Sequence, residues 1–98
     1  MKRLISAICV LFFLLPLSAQ ETYQKETFIS SRGDTLQYRL LQPENMKKSE
    51  KYPLVLFLHG AGERGNDNER QLTHGGQMFL NPVNREKYPA FVLAPQCP

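Results

Sequence analysis

Along residues 35–40 polar and apolar side chains alternate, with Leu36, Tyr38 and Leu40 interleaved with Gln37 and Arg39. This period of two predicts a strand whose Leu36–Tyr38–Leu40 face turns to the core and whose Gln37–Arg39 face turns to solvent. A shorter strand is expected over Thr27–Ser31. Ser31-Arg32-Gly33-Asp34 supplies turn chemistry between the two, giving a β-hairpin. Residues 43–52 are polar and charged, and read as a loop. From Pro53 to Leu58 the chain is apolar without alternation, which predicts a strand covered on both faces. Pro53 at its first position is tolerated. Asp67 or Asn68 is placed to cap a helix. Leu72, Met78 and Phe79 are that helix's apolar anchors. Gly75-Gly76 should interrupt it, and Asn81-Pro82 should stop it. Ala90–Ala94 is a second apolar run, ended by Pro95. The order is hairpin, strand, helix, strand. The last three form a βαβ unit and place the chain in the α/β class.

The first 20 residues stand apart. Lys2 and Arg3 precede an almost unbroken apolar run, Leu4–Leu17, and Ser18-Ala19-Gln20 supplies small residues for cleavage. This is the layout of a secretory signal peptide. The run of 14 residues is short of the roughly 18 needed for a membrane span. We therefore expect a leader over 1–20, cleavage after Ala19 or Gln20, a secreted or periplasmic product, and a folded portion over 21–98. Without Lys2 and Arg3, 10 basic and 9 acidic residues remain. No basic patch is interleaved with aromatics, so nucleic acid is not an expected partner. Cys97 is then the lone cysteine of the exported part, so it is either free or paired outside this sequence.

The distinctive stretch is Leu54–Glu69, LVLFLHGAGERGNDNE. Gly60-Ala61-Gly62-Glu63-Arg64-Gly65 fits G-x-G-x-x-G, a dinucleotide fingerprint. That reading fails its further demands. Asn-Asp-Asn-Glu-Arg follows Gly65, with nothing apolar to pack on a sheet. No carboxylate ends the next strand to hold a ribose. The competing reading starts one residue earlier, at His59. A strand end followed by His-Gly-x-Gly suits the loop that donates one backbone N–H to the oxyanion hole of an α/β-hydrolase. A tetrahedral intermediate carries a negative oxygen, and its donors must already point at it. Glycines let the backbone approach that oxygen closely.

We expect Ala61 N–H to be the donor, with Gly62 N–H second. His59, with Gly60, is expected to brace the loop, because the catalytic His of this fold comes late in the chain. Glu63 and Arg64 are candidate substrate contacts, or else pair with each other and solvent. His74 should be exposed. His59, His74 and Cys97 lack metal-ligand spacing, so neither metal nor cofactor is expected.

The runs YPLVLFLHGAGERGNDNERQL and YPAFVLAPQCP resemble the N-terminal part of secreted α/β-hydrolases of the esterase and predicted-peptidase group. That group is related to dienelactone hydrolases, polyhydroxybutyrate-depolymerase-like esterases and the prolyl oligopeptidase catalytic domain. DTLQYRLLQP is similar to the strand preceding the loop in that group. The resemblance spans Thr27–Pro98 and implies a serine hydrolase acting on a small-molecule ester or a peptide. It also implies a nucleophile in a G-x-S-x-G elbow, followed by an acid and a His. Ser6, Ser18, Ser30, Ser31 and Ser49 are the serines present, and none has that setting. The expectation is thus the N-terminal portion of an α/β-hydrolase sheet, supplying the oxyanion loop without the triad and inactive alone. The rival reading is a secreted adhesion protein presenting Arg32-Gly33-Asp34 on its hairpin turn.

Overall fold

The computed structural model describes residues 22–98, so the leader expected over 1–20 lies outside the described residues. Strands β1 (Gln24–Ile29) and β2 (Thr35–Leu41) form the hairpin. Its turn is closed by Gly33 N–H to Ser30 O at 3.0 Å and by Ser30 N–H to Asp34 O at 2.8 Å. Gly33 has φ of 88°, in the left-handed region that glycine adopts without strain. Strands β3 (Leu54–Leu56) and β4 (Phe91–Pro95) pair in parallel, and a helical crossover joins them. β4 lies between β2 and β3, antiparallel to β2, so the mixed sheet runs β1-β2-β4-β3.

The crossover departs from the single broken helix expected. Past Gly65 it forms two 3-10 turns, Arg70–Leu72 and Gly76–Leu80. Gly75 separates them at φ of 102°, and a Cβ there would lie 3.0 Å from the Phe57 ring. Asn81-Pro82 ends the second of these turns, as expected, and also starts a helix, α1 (Pro82–Lys87). The Asn81 side chain accepts from Val83 N–H at 3.0 Å and Asn84 N–H at 3.4 Å. Proline at the first helical position lacks only an N–H that would have no partner there.

The core is Tyr23, Leu41, Leu72, Val92 and Ala94, with Val55, Phe57, Phe79 and Leu80 packed against it. All the strand residues among these come from one sheet face. On β2 that is the opposite face from the one expected. Arg39 is only 2% exposed and Leu41 is buried, whereas Leu36 is exposed. The reason is that Arg39 finds acceptors inside: Nη1 donates to Tyr23 O at 2.7 Å, and Nε donates to Asn68 O. β3 is likewise covered on one face and not on two. Val55 and Phe57 face the core, whereas Leu54 and Leu58 are 64% and 68% exposed. With Phe28 and Leu56, also exposed, these residues give the sheet a second, open apolar face among the described residues.

Candidate active site

The backbone that leaves β3 carries the distinctive loop at the carboxyl ends of β3 and β4. Pairing with β4 continues one step beyond β3, through Phe57 N–H to Leu93 O at 2.9 Å. His59 follows at the sheet's edge. Its Nε2 accepts from Cys97 N–H at 3.0 Å. That fixes the proton on Nδ1, which donates to Gly60 O at 2.6 Å. Both ring nitrogens are therefore engaged by backbone.

Gly60 is extended, with φ of −81° and ψ of 176°, and Ala61–Glu63 then forms a 3-10 turn. Glu63 N–H donates back to Gly60 O at 3.2 Å. Ala61 and Gly62 open the turn, so neither amide has an acceptor within it. Both residues are exposed. A Cβ added at Gly62 would meet nothing within 4 Å, so the side-chain position there is open. Gly60 is different, because a Cβ there would come within 3.0 Å of Glu63 Oε2.

Glu63 and Arg64 do not pair with each other. The Glu63 carboxylate folds back beside Gly60, with Oε1 3.2 Å from His74 Nε2. His74 is as exposed as expected, at 79%. Arg64 Nε donates to Pro98 O at 2.9 Å. Neither side chain lies over the Ala61 and Gly62 amides by any bond the structure makes. Among the described residues no cluster of three or more His, Cys, Asp or Glu could hold a metal ion. Cys97 is a free, exposed thiol.

Behind the loop lies a buried polar network that sequence reasoning missed. Gln96, 2% exposed, follows β4 directly. Its Oε1 accepts from Asn68 N–H at 2.7 Å. Its Nε2 donates to Glu63 O at 3.1 Å and to Asp67 Oδ1 at 2.8 Å. Asp67 Oδ1 also accepts from Glu69 N–H and Arg70 N–H, at the entry to the Arg70–Leu72 turn. These bonds, Gln96 first, hold the Asp67 carboxyl down at about 2. Asn68 sits at φ of 53°. Its side chain accepts from Gln71 Nε2 at 2.6 Å and donates to Tyr38 O at 3.2 Å. Its carbonyl takes the buried Arg39. Burial pushes Arg39 below its ordinary range, and the carboxylates of Glu69 and Asp67 oppose that shift. The available signals were the polar run Asn66-Asp67-Asn68 and a glutamine just past an apolar strand.

A separate cavity of about 690 Å³ lies at the other end of the strands, lined by Leu41, Tyr52, Val55, Phe79, Arg85 and Val92. Parallel strands direct ligands to their carboxyl ends, which favours the loop over this cavity as the site.

No family model matches the chain, and no curated protein matches it. Among solved structures it is similar to a thermostable esterase, with 42% sequence identity and a TM-score of 0.75. The match covers 82% of this chain and 22% of that one. The chain thus spans about a fifth of the length of the structure it matches, and over that span it is related to an esterase.

Proposed function

We propose that this chain supplies the oxyanion-binding loop of an exported serine hydrolase of the α/β-hydrolase fold, one that cleaves carboxyl esters. One observation carries the reading. Ala61 and Gly62, both exposed residues, open a 3-10 turn in which their amides have no acceptor, at the carboxyl end of a parallel strand. In this fold the loop after the third strand gives one oxyanion donor, and the residue after the nucleophile gives the other. A serine carried by sequence outside this chain attacks the ester carbonyl. A histidine, also outside, takes its proton, and an acid orients that histidine. The carbonyl oxygen gains charge as the tetrahedral intermediate forms, and Ala61 N–H donates to it, with Gly62 N–H beside it. The free space at Gly62 leaves room for the acyl group. His59 acts as a brace, since both its nitrogens are spent on backbone. The esterase relationship supports ester cleavage over peptide cleavage. The basic start, apolar run and small-residue end of residues 1–20 support export.

Ala61→Pro in the full-length protein tests the donor. Gly60 already has the extended backbone required before proline, and the substitution replaces the amide hydrogen of residue 61 with a ring carbon, so the donor is lost. Loss of one such donor lowers turnover by about 10² to 10³. Wild-type turnover of a short acyl ester by this variant would remove Ala61 from the mechanism.

A further inference from the structure

We propose that Gln96 is a positioning residue for the amide donors of Ala61 and Gly62, acting from behind the loop; this rests on the hydrolase reading above. Gln96 is fixed in the sheet by its own N–H, which donates to Gln37 O at 3.0 Å. From there its side chain reaches two separated points of the loop. It holds Glu63 O, at the end of the turn that bears the donors, and it holds Asp67 and Asn68 further on. The next residue completes the frame. Cys97 N–H donates to His59, and Cys97 O accepts from Gly65 N–H at 2.9 Å. Two consecutive residues beyond β4 therefore clamp the loop before, within and after the 3-10 turn. Ala61 and Gly62 lie between the clamped points.

The chemistry of the clamp selects a glutamine. One oxygen must accept from Asn68 N–H, and one NH₂ must donate to both Glu63 O and Asp67 Oδ1. A primary amide of this length does both. A carboxylate would set a negative oxygen against a carbonyl and a second carboxylate. Oxyanion donors act by being held in place before charge develops, and surface loops are otherwise mobile. A misplacement of about 1 Å costs on the order of 10² in rate.

The test compares Gln96→Glu and Gln96→Met with wild type in the full-length protein. It measures amide hydrogen exchange over residues 60–69, and kcat and KM on a short acyl ester between pH 5 and 8. Both variants should exchange faster in this segment, by about tenfold or more, with the β1–β2 hairpin unchanged. Both should lose about 10- to 100-fold in kcat with little change in KM. The deficit of Gln96→Glu relative to wild type should narrow as pH falls. Its carboxyl, protonated beside Asp67, regains a donor. The Gln96→Met deficit should not narrow. Unchanged exchange in both variants overturns the proposal whether or not the protein is a hydrolase. Faster exchange with wild-type kcat overturns the link to the donors. If wild type cleaves no ester, the hydrolase reading falls, and the clamp is then judged on exchange alone.

Discussion

Cys97 N–H donates to His59 Nε2 at 3.0 Å, joining two strand ends that are 38 residues apart. The histidine that precedes the proposed oxyanion turn is thereby used as a structural link. His59→Ala should release Gly60 O and Cys97 N–H and loosen the loop entrance. We expect kcat on a short ester to fall about tenfold, by misplacement of the donors. The shape of the pH–rate profile should stay as in wild type. A general base would behave otherwise, with a loss of about 10² to 10⁴ and a vanished limb of the profile. Kinetics across pH on this one variant separate the two roles.

Asp67 predicts an acid sensitivity. Its carboxyl is held at about 2 in the folded chain by Gln96 and by the amides of Glu69 and Arg70, against about 3.9 when unfolded. A depressed carboxyl contributes stability that is present above its unfolded value and is lost as pH falls through its folded one. The loss should therefore run from about pH 4 to pH 2. Asp67→Asn should flatten this part of the stability–pH curve, read from urea midpoints at a series of pH values. An unchanged slope would show that the Asp67 bonds do not persist in solution.

Tyr23 predicts the alkaline counterpart. Its hydroxyl donates to Gly76 O at 2.9 Å from a buried position. Burial pushes the phenol up to about 12, with Arg85 opposing. The unfolded phenol titrates near 10. The neutral form is favoured in the fold, so its stabilisation is present below about pH 10 and disappears as pH rises to about 12. Tyr23→Phe should cost about 1–3 kcal/mol at neutral pH, by leaving Gly76 O without its donor. It should also remove this tyrosine's share of the alkaline slope. Equal urea midpoints for the two proteins would refute the buried bond.

What the sequence made legible was local. The hairpin could be read because Gly33 and Asp34 are turn formers set between a short strand and an alternating one. The parallel pair could be read because Leu54–Leu58 and Ala90–Ala94 are apolar runs separated by helical spacing. The inward face of β2 could not be read that way. Alternation makes Leu36, Tyr38 and Leu40 look like the core, and a charged Arg39 look like surface. Its burial is decided by the carbonyls of Tyr23 and Asn68, 16 and 29 residues away, and no local pattern records them. Asn81-Pro82 was ambiguous for a different reason. Asn-Pro ends one element and begins another, and only packing shows which. At the site, His59 through Gly65 stood out because glycines and a histidine are chemically conspicuous. Gln96 and Gln71 did not, and Asn68 could be read only as a capping candidate, since an amide side chain signals little until its partners are in place.

The clamp on the loop also sets an order in time. Gln96 and Cys97 are synthesised after every loop group they hold, by 28 residues for Asn68, 33 for Glu63 and 38 for His59. The hairpin needs only neighbours and can close at once, whereas contacts distant in sequence must wait for their chain to arrive. As the chain leaves the ribosome, the histidine–glycine segment should therefore stay unshaped until β4 has entered the sheet between β2 and β3. Pulse-labelled exchange during refolding should show hairpin amides protected first and residues 60–69 last. Closure of the loop is thus a late event in the chain's folding, gated by the arrival of Gln96 and Cys97.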